Sequence, residues 1–279
     1  MTAHILDGKA LAENIRQELK AKIAKLPTLP HLAIIMVGNN PASIIYVRNK
    51  LKAAAEIGIQ TSLHEFSAEI SQQEIIDLIH TLNQDSSING IMIQLPLPKH
   101  LNESEILKTI SPQKDVDGFH PYNIGLLQSN DSQAMIAATP KGIMRLLEHT
   151  NVELSGKQAL VIGRSQIVGK PIAMLLLNKD CTVTIAHSKT TNLQALIKNA
   201  DIVIAACGCP EFIKGSWLKE NSTIIDVGIN HLDGRLCGDV EFSTAVEKAA
   251  IITPVPKGVG PMTIAMLLEN TFEAYLKQN

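Results

Sequence analysis

The segment from Lys157 to Pro171 constrains the fold of this chain most strongly. An apolar run, Ala159 to Ile162, stops at Gly163, and a helical pattern of apolar residues resumes at Val168. A strand, a tight glycine turn and a helix N-terminus in this order can form an anion site from backbone N–H groups and the helix dipole. The spacing departs from G-x-G-x-x-G, because Ser165 and Val168 occupy the second and third glycine positions. An ordinary strand-to-helix connection of an α/β protein explains the pattern equally well.

Strand-like and helical patterns alternate along the whole chain, which is typical of α/β proteins. Asn40-Pro41 predicts a helix start, and Ser71 followed by Glu74 predicts a capping box. The predicted strands cover residues 31–37, 59–66, 88–95, 159–162, 182–186, 201–206, 223–227 and 251–252.

The length of 279 residues suggests one large domain or two moderate ones. We expect a first α/β domain, residues 1–138 plus 262–279, to bind substrate and perform catalysis. We expect a second domain, residues 139–261, to be a Rossmann-type doubly wound parallel sheet that binds the cofactor. A helix starting at Thr139-Pro140 would connect the two, and an active-site cleft would lie between them.

Composition argues against several classes of protein. The formal net charge is −2 and no block of Lys and Arg stands out, which disfavours nucleic-acid binding. No apolar run approaches the ~20 residues of a membrane span. The N-terminus lacks an export signal, and the four cysteines lack the spacing of a metal site. We therefore expect a cytoplasmic protein with no metal site and no membrane partner.

Tyr46 and Lys50 stand four residues apart on one predicted helix, so both project from the same face. A tyrosine hydroxyl beside a lysine amine can lower the pKa of the amine or hold it in one pose, as proton transfer requires. The competing interpretation is an ordinary solvated lysine beside a half-buried tyrosine.

Gln94 lies at the carboxyl end of the apolar strand predicted over residues 88–95, where open α/β sheets place ligand contacts. Asp115 and Asp117 lie in a long irregular stretch, Ser111 to Ala138. Two such carboxylates could bind a metal, act as an acid–base pair, or grip a planar guanidine-like group through two hydrogen bonds. Gln94 could instead face water, and the aspartates could simply form a turn.

The second domain lacks the acidic residue that binds a ribose ~20 residues after the glycine turn. Arg164 follows Gly163, and Ser188 follows the next strand. This pair suits a 2′-phosphate better than a bare ribose and favours NADP over NAD, unless Arg164 is only a solvated turn residue. The segment Pro254 to Pro261 suits an anionic or ring-shaped ligand, or else is a stiff linker.

Five motifs occur together in this order: Tyr46–Lys50, Gly90–Pro98, Lys114–Gly118, Gly163–Pro171 and Pro254–Thr263. With these motifs the chain resembles the bifunctional methylenetetrahydrofolate dehydrogenase/methenyltetrahydrofolate cyclohydrolase family of the bacterial FolD type. The resemblance covers nearly the whole length. It implies NADP-dependent oxidation of 5,10-methylenetetrahydrofolate, hydrolysis of the methenyl product to 10-formyltetrahydrofolate, and a homodimer.

The resemblance also implies roles for individual residues. Lys50 would be the key cyclohydrolase lysine, tuned by Tyr46 and Gln94, and Asp117 would hold the 2-amino-4-oxo edge of the pterin. The other folate contacts would be Ser43, Tyr46, Gly260, Pro261 and Thr263. The cofactor contacts would be Gly163, Arg164, Ser165, Ile167, Ser188 and Ile229.

Two positions depart from the family pattern. Lys257 stands where the family commonly has glycine, and Ala138 replaces a frequent cysteine. Two other functions remain open at this point. One is another NADP-dependent two-domain dehydrogenase acting on an amino or hydroxy acid, which leaves Lys114 to Gly118 unexplained. The other is a nucleotide-sensing module without catalysis.

Overall fold

The computed structural model describes residues 3–279, which form two compact units. Unit 1 comprises the described residues up to Ala12 together with Thr139–Thr263. Unit 2 comprises Glu13–Ala138 together with Ile264–Asn279. Both units combine a parallel sheet with helices, which confirms the predicted fold class of two α/β domains.

A six-stranded parallel sheet is the centre of unit 1. Its strands, in spatial order, are β1 (His4–Ile5), β11 (Ile251–Ile252), β8 (Thr223–Asp226), β7 (Ile202–Ala205), β5 (Gln158–Ile162) and β6 (Thr182–Ala186). Because β1 pairs with β11, the first described residues group with unit 1, whereas the sequence-based division kept them with the first domain. The chain passes from β5 to β6 on one side and then to β7 on the other. Such a switch point is where doubly wound sheets bind ligands.

The remaining elements of unit 1 cover this sheet. They are α6 (Ala138–His149), α7 (Gly169–Leu177), α8 (Leu193–Asn199), a 3₁₀ turn (Gly215–Trp217), the hairpin of β9 (Asn230–Leu232) and β10 (Arg235–Cys237), and α9 (Phe242–Ala245). Every residue of β7 and β8 is buried, as expected of central parallel strands that are covered on both faces. The hairpin was not predicted, because its two strands are too short for a period-2 pattern to show.

Unit 2 is built on a three-stranded parallel sheet with a set of helices around it. The strands, in spatial order, are β3 (Gln60–Phe66), β2 (His31–Val37) and β4 (Gly90–Ile93). The helices are α1 (Gly8–Ile23), α2 (Pro41–Ile57), α3 (Gln72–Gln84), α4 (Glu103–Thr109), α5 (Pro121–Gln128) and α10 (Val259–Gln278). The division between the units falls within α1 and α10.

The predicted helix starts of unit 2 are confirmed. The Asn40 side chain caps α2, Pro41 occupies its first turn, and the helix ends at Gly58 in a left-handed conformation with φ 88°. Ser71 and Glu74 form the reciprocal capping box of α3. These local interactions satisfy backbone N–H groups that would otherwise lack partners.

The long stretch of residues 111–138 is less irregular than its sequence suggests. It contains helix α5, whose eight residues were expected to form a loop. The stretch is tied to α10 by the buried Asn270, whose Nδ2 donates to the carbonyl oxygens of Val116 and Ile136, both at 2.8 Å. Helix α10 therefore packs against this stretch.

Lys257 adopts a backbone conformation that L-residues rarely take. Its φ is 86°, and its carbonyl oxygen accepts a hydrogen bond from the Lys9 backbone N–H at 2.9 Å. A side chain at positive φ brings Cβ close to the backbone, a strain that glycine avoids. The glycine that the resemblance leads us to expect at this position would take this conformation without that strain.

Replacing Lys257 by Gly is expected to raise the thermal midpoint of unit 1, because it removes a strain of about 1 kcal/mol. The matched control is Lys198→Gly on the exposed side of α8, where glycine is expected to lower the midpoint by destabilising the helix by about 1 kcal/mol. Differential scanning calorimetry measures both. A Lys257→Gly midpoint at or below that of the parent chain would contradict this explanation.

Candidate active site

Helix α2 presents Ser43, Tyr46 and Lys50 at spacings of three and four residues, so they lie along one face. The cap fixes the start of this face, because the Asn40 side chain accepts the Ser43 N–H at 3.2 Å. Ser43 and Lys50 are buried, and Tyr46 is half-buried. Burial raises the pKa of the Tyr46 hydroxyl, which keeps this group protonated at neutral pH.

The Lys50 amine is buried and held by residues of strand β4 and its end. Only 8% of Lys50 is exposed, so the interpretation as an ordinary solvated lysine is wrong. Its Nζ donates to Gln94 Oε1 at 3.0 Å and lies 3.6 Å from Met92 Sδ. Gln94 Nε2 donates to the Leu95 carbonyl at 2.7 Å, which orients the amide so that its oxygen faces the lysine.

Met92 is a lysine contact that sequence reasoning missed. It lies two residues before Gln94, and alternate residues of a strand point to the same face. That spacing was the available signal. A methionine in an apolar run, however, is first interpreted as a core residue. Met92 is indeed buried, with 1% of its surface exposed.

Burial moves the pKa values of Lys50 and Asp117 toward each other. It lowers the pKa of the lysine, while the negative charge of Asp117 acts in the opposite direction. It raises the pKa of Asp117 to about 6, against the effect of the Lys50 charge and together with that of Asp115. Ionisable groups perturbed in this way are concentrated at functional sites.

The two aspartates of the Lys114–Gly118 motif have different environments. Asp115 is buried, and its carboxylate accepts the backbone N–H groups of Phe119 at 3.2 Å and His120 at 2.8 Å, and Asn123 Nδ2 at 2.8 Å. Asp115 therefore stabilises a turn, which is the role that we gave above as the alternative to ligand binding. Asp117 is half-buried. Of the two, Asp117 is the more exposed carboxylate.

A second group of predicted residues lies in unit 1, at the switch point after β5. A Cβ atom on Gly163, whose φ is 132°, would lie 2.1 Å from the Ala206 carbonyl oxygen. A Cβ on Gly169 would lie 2.3 Å from the Gly163 carbonyl oxygen. Glycine is therefore required at both positions, and Gly169 provides the close contact between helix and strand that the spacing G-x-G-x-x-G assigns to its third glycine.

The residues between these glycines form an exposed turn. Ser165 Oγ accepts the N–H groups of Val168 at 3.1 Å and Gly169 at 3.2 Å and thereby orders the start of α7. Arg164 and Ile167 are exposed on this turn. The arrangement leaves a positive and an apolar side chain exposed beside the start of α7, where the helix dipole favours negative charge. These groups fit a dinucleotide phosphate.

Ser188 follows β6 by the same number of residues as Arg164 follows β5. Ile162 pairs with Ala186 across these strands, and the Gly163 N–H donates to the Ala186 carbonyl at 2.9 Å. Both Arg164 and Ser188 lie two residues beyond this pair and are exposed. The two predicted ligands of a 2′-phosphate therefore follow paired strand ends.

The last predicted residues lie at the start of α10, also in unit 1. Gly260, Pro261 and Thr263 belong to the first turns of this helix, which begins at Val259. Thr263 Oγ1 forms a 2.9 Å hydrogen bond with Thr139 Oγ1. A Cβ on Gly260 would lie 4.0 Å from Ile229 Cδ1, and Ile229 is 47% exposed.

Other kinds of site find little support within residues 3–279. In this part of the chain no group of three or more His, Cys, Asp or Glu side chains is arranged to hold a metal ion. No helix of the same residues is long and apolar enough to cross a membrane. All four cysteines are free thiols.

Two segments match the two domains of one protein family. Residues 6–117 match the catalytic domain of tetrahydrofolate dehydrogenase/cyclohydrolase, and residues 137–279 match the NAD(P)-binding domain of the same family. A bifunctional protein FolD from Magnetococcus marinus is 51% identical over 276 residues, which are 97% of this chain and 96% of that protein.

Solved structures show the same likeness. The bifunctional FolD methylenetetrahydrofolate dehydrogenase/cyclohydrolase from Campylobacter jejuni superposes with a TM-score of 0.98 at 45% identity, covering 99% of this chain and 100% of that one. The FolD enzyme of Trypanosoma brucei, complexed with NADP and an inhibitor, has a TM-score of 0.95 at 37% identity, covering 99% and 98% of the two chains. The resemblance read from the motifs is confirmed: this chain belongs to the tetrahydrofolate dehydrogenase/cyclohydrolase family.

Proposed function

We propose that this chain oxidises 5,10-methylenetetrahydrofolate with NADP and then hydrolyses the methenyl product to 10-formyltetrahydrofolate. The observation that carries this proposal is the buried Lys50 amine, which is hydrogen-bonded to Gln94 and electrostatically coupled to Asp117. The family match supports folate as the substrate, and so disfavours an amino or hydroxy acid.

Hydrolysis of the methenyl cation needs a group that handles protons, and Lys50 has the required properties. Burial lowers its pKa, so a larger fraction of the amine is neutral than for an exposed lysine. The neutral amine donates one hydrogen to Gln94 Oε1 and keeps a lone pair. This lone pair accepts a proton from the water that attacks the methenyl carbon. That proton then passes to N5 as the bond between this nitrogen and the carbon breaks, and the hydroxyl left on the carbon releases its own proton to water as it becomes the formyl carbonyl.

Asp117 suits the recognition of the pterin ring. A carboxylate can accept two parallel hydrogen bonds from the 2-amino group and the adjacent ring N–H of a 2-amino-4-oxo edge. With a pKa of about 6, Asp117 is mostly ionised at neutral pH and able to accept both. Ser43 and Tyr46, on the α2 face that carries Lys50, would border the same ligand.

The residues after β5 and β6 fit NADP. Gly163 brings backbone rather than a side chain to the turn, α7 offers its N-terminus, and Arg164 and Ser188 suit the 2′-phosphate. Bound NADP would accept the hydride in the first step, which removes no proton from carbon and so needs mainly positioning of the substrate. If the enzyme reduced NAD as efficiently as NADP, this preference would be wrong.

We assign the folate and catalytic role to residues 1–138 plus 262–279 and the NADP role to residues 139–261. Lys50, Gln94 and Asp117 support the first assignment, and the turn after β5 supports the second. Gly260, Pro261 and Thr263 would border the folate, and Ile229 would contact the cofactor. We place the enzyme in the cytoplasm, where free thiols such as its four cysteines stay reduced. Recovery of the activity in a membrane or exported fraction would refute this location.

We further propose a homodimer that forms along the edge of the unit 1 sheet. Strand β6 is an edge strand, and the apolar side chains of Ile185 (38% exposed) and Leu177 (50% exposed) lie on or near it. Unpaired strand edges with exposed apolar residues favour pairing with another chain.

Sedimentation equilibrium at micromolar concentration is expected to give twice the 30.3 kDa mass of the chain. Ile185→Asp should shift the protein toward monomer, because it places a charge on the proposed interface. The control is Ile5→Asp, at the opposite edge of the same sheet, which should leave the mass unchanged. A monomeric parent chain, or a dimeric Ile185→Asp variant, would contradict the proposed interface.

Lys50→Met is expected to reduce methenyltetrahydrofolate hydrolysis by about a hundredfold or more, because it removes the proton acceptor while keeping an unbranched side chain. The decay of methenyl absorbance measures this rate. Binding of NADP should remain unchanged in the same variant, since the proposed cofactor residues lie in unit 1.

The matched control is Lys52→Met, on the same helix but with 78% of its side chain exposed. This variant should hydrolyse the methenyl substrate at the parental rate. If Lys50→Met also kept the parental rate, the amine would have no role in hydrolysis and the proposed mechanism would fail.

A further inference from the structure

Two buried carboxylates lie at the carboxyl edge of the unit 1 sheet, and the proposed reaction uses neither of them. Asp226 is the last residue of β8 and is 4% exposed, and Asp239 follows β10 and is 0% exposed. Burying a carboxylate is costly unless it is well hydrogen-bonded, so the partners of these residues indicate what they stabilise.

Asp239 accepts four hydrogen bonds, three of them from one backbone turn. Its Oδ2 accepts the N–H groups of Cys207 at 2.6 Å and Gly208 at 2.9 Å, and its Oδ1 accepts the N–H of Cys209 at 3.0 Å and Nδ2 of Asn230 at 2.8 Å. The carboxylate therefore joins the turn that follows β7 to the segment that follows β8.

Asp226 holds Asp239 in place. Its Oδ1 accepts the N–H groups of Gly228 and Asp239, both at 2.9 Å, and its Oδ2 accepts that of Val240 at 2.9 Å. Burial raises the pKa of Asp226 to about 7, although these hydrogen bonds act in the opposite direction. The bonds of Asp226 thus fix the backbone of residues 239 and 240, and with it the direction of the Asp239 side chain.

Glycines make room for both carboxylates. A Cβ on Gly238 would lie 1.9 Å from Asp226 Oδ2, and a Cβ on Gly228 would lie 2.4 Å from Asp239 Oδ1. Side chains at positions 228 and 238 would therefore displace the carboxylates. Gly228, Gly238, Asp226 and Asp239 together form one closely packed cluster, here called the carboxylate cluster.

The carboxylate cluster holds the Cys207–Cys209 turn and the Ile229 segment, which lie where the cofactor is proposed to bind. The turn after β7 starts beside Gly163, because a Cβ there would lie 2.1 Å from the Ala206 carbonyl oxygen. Ile229 is flanked by Gly228 and Asn230, which bond to Asp226 and Asp239 respectively, and its apolar side chain is 47% exposed. An exposed isoleucine held on both sides can present a fixed apolar contact to a ligand.

We propose that Asp239 is a positioning residue for the cofactor, which fixes the Cys207–Cys209 turn and the Ile229 segment in the arrangement that NADP requires. This inference rests on the proposed NADP-dependent function. Asp239 itself is fully buried and acts only through these two segments, and Asp226 supports it from the opposite side.

The test is Asp239→Asn, which keeps the shape of the side chain but places an NH₂ group against two backbone N–H donors. Isothermal titration calorimetry is expected to show a Kd for NADP raised about tenfold or more, a loss of about 1.4 kcal/mol in binding free energy, because the two segments are no longer held in the binding arrangement. The KM for NADP should rise in parallel, with kcat at saturating NADP changed by about threefold or less. Methenyl hydrolysis, which uses no NADP, should keep the parental rate.

The matched control is Asp233→Asn, at the exposed tip of the β9–β10 hairpin, which should leave all four quantities unchanged. Should Asp239→Asn fail to fold, Asn230→Ala removes a single hydrogen bond at the rim and should still raise the Kd for NADP. A lower thermal midpoint with an unchanged Kd would show that the carboxylate serves stability alone and would overturn the inference. If the parent chain did not bind NADP, the proposed function itself would fail.

Discussion

The chemistry proposed for this chain depends on one buried amine. Lys50 is removed from water on helix α2, and its Nζ is held by Gln94 Oε1 and lies near Met92 Sδ. Withdrawing an ammonium group from water disfavours its charged form, so burial lowers the pKa of Lys50 and favours the proposed role of its amine as a proton acceptor. The cap at Asn40, the strand register that places Gln94, and the turn that orients Asp117 all matter because they define this environment.

The negative charge of Asp117 limits how far burial can lower the pKa of the Lys50 amine. This charge favours the protonated amine, while the burial that weakens the lysine also raises the pKa of the aspartate itself. A ligand that takes the carboxylate into hydrogen bonds, as a pterin edge would, therefore changes the balance at the amine. In the proposed mechanism these two charges would couple substrate recognition to proton transfer.

Much of the fold could be predicted because its signals are local. The cap at Asn40, the capping box at Ser71 and the glycine turn after β5 all depend on residues within a few positions of each other, and all are found in the structure. Helix α5 was missed because its eight residues show almost no amphipathic pattern. In unit 1, the role of Gly169 became clear only from its contact with Gly163, which the sequence spacing alone does not reveal.

The sequence allowed us to predict the polar residues of the candidate site. It did not reveal which residues contact them. Lys50 and Gln94 are 44 positions apart, and only the packing of α2 against β4 brings them to 3.0 Å. Met92 looked like a core residue, and Asp239 gave no signal, because the three backbone N–H groups that its carboxylate binds lie about thirty positions away. Carboxylates that bind distant backbone N–H groups carry no periodicity, so sequence patterns do not expose them.

The pKa of the Lys50 amine tests this account most directly. It can be followed by NMR titration of the chain labelled with ¹³C at lysine Cε, with the Lys50 signal assigned by its loss in the methionine variant. The account predicts a pKa below the ordinary 10.5 of a lysine, and a still lower value in Asp117→Asn, where the opposing charge is absent. A pKa at or above 10.5 would contradict it.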